Sequence, residues 1–153
     1  MVISYFSIVH YKDWILMNSA GVSILIVDDA VDVADALSKA IKMKSQVSGL
    51  KIRSIVLSHD GLDATVKLKN QSFDVVILDN DMPKKSGLSV LKFINESKTL
   101  SDISVIFLSG ELKTETLQAL KKMSVVDVLT KPFDIERIMK NITKVTQKKI
   151  KVT

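Results

Sequence analysis

Four places in the chain put chemically capable side chains directly after short apolar runs. Asp28-Asp29 follows residues 23–27, Asp79 follows 75–78, Ser109 follows 104–108, and Lys131-Pro132 comes just beyond 127–129. Carboxylates gathered in one place repel one another and take up protons unless a cation sits among them. An all-oxygen cluster with no His or Cys selects a hard divalent ion, most naturally Mg2+ keeping some of its water, with Mn2+ as a substitute. A hydroxyl and an ammonium on the far side of such a cluster suit a phosphoryl group, whose oxygens need donors and positive charge. Singly, each feature has a bland reading. Asp-Asp before a helix often caps it, Asp79 before Asn80-Asp81-Met82-Pro83 is ordinary turn chemistry, and Ser109-Gly110 and Lys131-Pro132 are common loop pairs.

What makes them a set is the elements that must position them. The runs 23–27, 75–78 and 104–108 are continuous and rich in β-branched residues, as strands covered on both faces should be, and 52–57 and 127–129 are weaker strand candidates. Between them, Val33, Leu37, Ala40 and Ile41 mark one helix, residues 62–69 a short second, Leu88, Leu91 and Ile94 a third, and Leu117, Leu120 and Met123 a fourth. Ile135, Ile138, Met139, Ile142 and Val145 mark the last, with Asp134 placed to cap it. Strands alternating with helices argue for an α/β fold, a five-stranded parallel doubly wound sheet with helices on both faces. In such sheets functional groups gather at the carboxyl ends of the strands, near the switch in strand order. The four places named above are those ends.

Composition narrows the chemistry further. The chain has 153 residues and no cysteine, which excludes thiol catalysis, disulfide scaffolds and cysteine-ligated metals. With 46% hydrophobic and 25% charged residues it can bury a real core and is not a disordered chain. The net charge of +5 sits mostly after residue 134, where Arg137, Lys140, Lys144, Lys148, Lys149 and Lys151 face only Asp134 and Glu136. A Lys-rich final helix of this kind is a solvated face more often than a nucleic-acid grip, and Trp14 lies far from it. The apolar stretch 1–16 is interrupted by His10, Lys12 and Asp13 and is too short to span a membrane, so a cytoplasmic protein without a membrane partner is expected. His10 and His59 share no zinc spacing and read as incidental.

The ordered set resembles the receiver domain of bacterial two-component response regulators. The resemblance rests on Asp28-Asp29, on Leu78-Asp79-Asn80-Asp81-Met82-Pro83 with Gly87 beyond it, on Ser109, on Lys131-Pro132-Phe133, and on the turn Ser58-His59-Asp60-Gly61 followed by Ala64. It implies a flavodoxin-like strand order 2-1-3-4-5. It also implies that Asp79 is the phosphoacceptor, supplied by a histidine kinase or phosphotransfer protein. Asp28, Asp29, Asp79 and the backbone carbonyl of Asp81 would hold Mg2+, and Lys131 and Ser109 would bind and sense the phosphoryl group. Pro132 would follow a cis peptide bond. The signal would pass through the face of helix four, strand five and helix five to a separate protein. An extension over 1–22, a receiver over 23–147 and a short basic tail over 148–153 follow, leaving no room for an output domain and pointing to a stand-alone receiver.

Some positions depart from the commonest family pattern. Val128 stands where an aromatic residue usually swings inward, and Gly110 where Ala is usual, while Asp81 and Glu111 add carboxylates near an already acidic pocket. Those two carboxylates are expected to strengthen Mg2+ dependence and to alter the rate of phosphate loss. Two rivals use the same residues. Asp79-Asn80-Asp81 resembles the nucleophile motif of haloacid-dehalogenase-type phosphohydrolases, although Pro83 stands where that motif wants Thr or Val. A phosphorylation-independent binding module is the other, favoured by Val128 and opposed by the intact acidic set.

Overall fold

The computed structural model describes the backbone of residues 21–151 and the side chains of residues 21–148. Strands β1 (Val22–Val27), β2 (Ile52–Ser58), β3 (Val75–Asp79), β4 (Ser104–Ser109) and β5 (Asp127–Thr130) alternate with helices α1 (Val31–Ser48), α2 (Gly61–Asn70), α3 (Gly87–Glu96), α4 (Thr114–Leu120) and α5 (Ile135–Lys151). All strand pairs are parallel and the order across the sheet is β2-β1-β3-β4-β5. The chain therefore winds outward from β1 to β2, then crosses back to β3 and continues the other way. The crevice at the carboxyl ends of β1 and β3 lies at this reversal.

Every residue of β1 and β3 is buried, because helices cover both sheet faces and leave no polar side to the alternation. Edge strand β2 is only half-buried along most of its length. Successive side chains point to opposite faces and feed two cores. Ile24, Ile26, Ile77, Ile106 and Leu108 pack with Ala34, Leu37 and Ile41 of α1 and Ile138, Ile142 and Val145 of α5. On the other face, Leu25, Val27, Val76, Leu78, Val105 and Phe107 meet Ala64 and Leu68 of α2, Val90, Leu91 and Ile94 of α3, and Leu120 of α4.

Two expected helix ends move, and one helix face shifts in part. The inward stripe of α1 is Ala34, Leu37, Ser38, Ile41 and Ser45, so Leu37 and Ile41 face the core as expected, while Val33 is 41% exposed. Helix α4 stops at Leu120, and Met123 lies beyond it in a turn closed by its own N–H donating to the Leu120 carbonyl at 3.1 Å. Helix α5 continues to Lys151, into the stretch expected to be a tail. The expected extension over 1–20, including His10 and Trp14, lies outside the described residues.

Candidate functional site

Strand β1 delivers Asp28 buried and Asp29 exposed. The pair is not spent on capping: Ala30 occupies the N-cap of α1, and no side-chain hydrogen bond caps the helix there. Asp28 instead closes a local turn, its Oδ1 accepting from the Ala30 N–H at 2.9 Å. Its other oxygen, Oδ2, is buried without a hydrogen-bond partner, and Lys131 Nζ stands 3.8 Å away. At the end of β3, Asp79 is 1% exposed and its Oδ1 accepts from Lys131 Nζ at 3.0 Å and from the Asp81 N–H at 3.2 Å. Ligand oxygens of Asp28, Asp29 and Asp79 lie within 4.8 Å of one another.

Burial is the main influence on the Asp79 carboxyl and pushes it above its ordinary value, with the Asp28 charge adding to the push and Lys131 pulling against it. For Lys131, burial works against the charged form, but Asp79, Asp28 and Asp81 together outweigh it and raise the ammonium. A buried carboxylate oxygen with nothing to accept from is costly. The orphaned Asp28 Oδ2, set in an all-oxygen group of this span, fits a hard divalent cation.

Neighbouring loops fix the backbone around Asp79. An ideal Cβ at Gly87 would sit 2.2 Å from the Asp79 carbonyl oxygen, so α3 can begin this close only without a side chain there. Asn80 ties the same junction together, its Oδ1 accepting from the Leu88 N–H at 3.0 Å and its carbonyl from the Gly87 N–H at 3.3 Å. The Lys131–Pro132 peptide bond is cis, and the Lys131 N–H donates to the Ser109 carbonyl at 2.9 Å, joining the ends of β4 and β5.

Asp28, Asp29, Asp79 and Lys131 thus come together, but other expected site residues face elsewhere. Ser109 is fully buried and its hydroxyl donates to the Glu111 carbonyl at 2.8 Å. The Asp81 carboxylate reaches across to the β4–α4 loop, where its Oδ2 accepts from the Gly110 N–H at 2.6 Å. Glu111 is exposed, and Val128 is half-buried against the core that faces α2, α3 and α4. His59 Nδ1 lies 3.1 Å from the Asp28 carbonyl oxygen, a contact to the backbone beside the acidic pair. A single His in a βα turn carries no sequence signal for such a contact. Its position directly after an edge strand could not reveal which neighbouring loop it meets.

The family described as the response regulator receiver domain matches residues 24–143. This chain belongs to that family. Among solved structures, the receiver is similar to the chemotaxis protein CheY4 of Vibrio cholerae, at 26% identity with a TM-score of 0.68, covering 82% of this chain and 98% of that one. A response regulator receiver protein from Pseudomonas putida gives 26% identity and a TM-score of 0.71 over 81% of this chain and 97% of that one. Among curated relatives, the transcriptional regulatory protein DltR of Streptococcus agalactiae is 29% identical over 119 residues, 78% of this chain and 49% of that protein. The probable C4-dicarboxylate response regulator DctR of Bacillus subtilis is 33% identical over 93 residues, 61% of this chain and 40% of that protein. The receiver thus spans about half or less of the curated relatives it matches. It is a signalling domain of the two-component type with the flavodoxin-like strand order. Among the described residues, no helix is long and apolar enough to cross a membrane.

Proposed function

We propose that this receiver accepts a phosphoryl group on Asp79 from a phosphohistidine of a histidine kinase or phosphotransfer protein and passes the signal on through the face formed by α4, β5 and α5. The observation that carries the reading is Asp79 itself: buried, 3.0 Å from the Lys131 ammonium, and grouped with two further carboxylates. An Asp79 carboxylate oxygen attacks phosphorus, the P–N bond of the donor breaks, and the imidazole leaves with the electron pair and takes up a proton. The product is an acyl phosphate on Asp79. Asp28, Asp29, Asp79 and the backbone carbonyl of Asp81 are the residues that would hold Mg2+ or Mn2+. The ion would supply positive charge to the phosphoryl oxygens. Lys131 stands on the same carboxylate and neutralises the remaining oxygen charge.

Ser109 starts with its hydroxyl on the Glu111 carbonyl, so it must release that bond to donate to a phosphoryl oxygen. This exchange is the local event that would alter the face formed by α4, β5 and α5. Val128 on β5 is aliphatic and cannot make a ring movement, which favours a smaller rearrangement there, or a partner that binds irrespective of phosphate. A cytoplasmic setting fits a kinase as donor. Incubation with a small phosphodonor such as acetyl phosphate and with a generic phosphatase substrate separates the readings. Uptake of one phosphoryl group with slow loss supports the phosphoacceptor, many turnovers support a hydrolase, and no uptake supports the phosphate-independent module.

A further inference from the structure

The turn between β2 and α2 is held firmly on both sides. Asp60 caps α2, its Oδ1 accepting from the Asp63 N–H at 2.7 Å. The fully buried Ser58 donates its hydroxyl to Asp63 Oδ2 at 2.6 Å, and Lys67 donates to that same oxygen and to the Leu57 carbonyl. Gly61 sets the turn against the next loop, since an ideal Cβ there would stand 2.7 Å from the Lys85 carbonyl oxygen. His59 sits between these fixed points and reaches toward the end of β1, with Nδ1 3.1 Å from the Asp28 carbonyl oxygen. A carbonyl only accepts, so Nδ1 carries the proton. That contact is one of three ties on Asp28. Its N–H donates to the Ser58 carbonyl at 3.0 Å, and its Oδ1 accepts from the Ala30 N–H at 2.9 Å. What the ties leave free is Oδ2, buried and without a hydrogen-bond partner.

We infer that His59 is a positioning residue for the divalent ion of the acidic crevice: its N–H fixes the peptide unit between Asp28 and Asp29, so that both carboxylates are aimed before the ion arrives. The inference deepens the proposed function and rests on that crevice holding Mg2+ or Mn2+. The Asp28 carbonyl belongs to the planar peptide that also carries the Asp29 N–H, so one contact orients the backbone of two ligands. Ligands that are already tied lose little freedom when an ion binds, whereas a swinging peptide must first be ordered. Groups that bond directly to a metal ligand's side chain commonly change affinity by about 10–100-fold. His59 acts one step further back, through the main chain, and the expected effect is about fivefold, the order of one lost hydrogen bond. Its ring is exposed, so the contact can be removed without opening the core.

The test is Mn2+ binding by the full chain, read as loss of the free-ion signal in electron paramagnetic resonance, with Mg2+ as competitor. It is run at about pH 8, where an ordinary imidazole is neutral and its removal changes no charge. His59→Ala should bind Mn2+ about fivefold more weakly than wild type, and competition by Mg2+ should give the same ratio. His59→Asn should recover most of the affinity, because an amide N–H can stand where imidazole Nδ1 stands. The metal-free thermal midpoints of the three proteins should agree within about 2–3 °C, as expected for an exposed side chain. Equal affinity in wild type and His59→Ala would overturn the inference. So would a His59→Asn protein as weak as His59→Ala, since the ring and not its N–H would then account for the loss. A weaker affinity accompanied by a midpoint lower by many degrees would overturn it too, because a loosened fold would be the cause. If none of the three proteins bound Mn2+, the ion site would fall and the role of His59 with it. Labelling of Asp79 by acetyl phosphate is a separate reading, so a wild-type protein that is labelled and binds Mn2+ no better than His59→Ala removes His59 alone.

Discussion

At the scale of single residues, Asp79 is the group whose environment works against its folded, ionised form. Burial raises its carboxyl, so the folded chain holds the proton more tightly than the unfolded chain. Ionisation of Asp79 therefore costs stability at neutral pH, and the cost vanishes where both states are protonated. In metal-free buffer, Asp79→Asn should raise the thermal midpoint at pH 7, with the gain shrinking as pH falls toward about 4. A melting series over that range checks the sign. Lys131 acts on the same oxygen, and Lys131→Ala should slow phosphoryl uptake from acetyl phosphate by about 100-fold, read as the initial rate of labelling. The identities of these residues were legible because carboxylate, hydroxyl and ammonium each followed an apolar strand. Their hydrogen-bond partners were not. A hydroxyl such as Ser109 turns to whichever acceptor the loop presents, and the loop backbone that offers the Glu111 carbonyl leaves no trace in residue type. The reach of Asp81 to Gly110 and of His59 to Asp28 is hidden for the same reason.

At the scale of elements, the start of α3 is what holds Asp79 in place. Both the Asp79 carbonyl and the Asn80 Cα would be overrun by a Cβ at Gly87, at 2.2 and 2.8 Å, and both are backbone. Strand β3 is paired on both sides and cannot retreat. Gly87→Ala should therefore lower unfolding free energy by about 2–3 kcal/mol, measured by urea denaturation, and slow any phosphoryl uptake by displacing the Asp79 backbone. The buried strands were legible because parallel strands covered on both faces read as unbroken apolar runs. Helix faces were less so. Along α1, Leu37 and Ile41 were legible as core residues, but periodicity alone does not say whether Val33 or Ala34 begins the stripe, and the helix turns Ala34 inward. Apolar spacing from Leu117 to Met123 continues through a turn after α4 has ended, because a half-buried turn wants an apolar side chain as much as a helix does.

At the scale of the whole molecule, α5 is tied to β5. Asp127 makes that connection, with its two oxygens accepting from Arg137 at 2.6 and 2.8 Å and from Asn141 at 2.7 Å. Burial pushes its carboxyl up, but Arg137 and Asn141 outweigh burial and hold it below the ordinary carboxylate range. A lowered folded value means stability that is present above the unfolded value and lost as pH falls through the folded one. Asp127→Ala should lower the denaturation midpoint at pH 7, and the gap from wild type should close under strongly acidic conditions. The basic balance of the chain belongs to this same helix, where Lys140, Lys144 and Lys148 are exposed. The excess positive charge is a property of one solvated helix and lies outside the acidic crevice.

The proposed role of Asp79 as phosphoacceptor carries the reading. It is tested most directly by treating the full chain with acetyl phosphate, with and without a chelator of Mg2+, and locating any added phosphoryl group by mass spectrometry. One phosphoryl group per chain on Asp79 is expected, absent in the chelator and absent in Asp79→Ala. Labelling that survives in Asp79→Ala, or a wild-type protein that takes up none with Mg2+ present, would contradict the assignment.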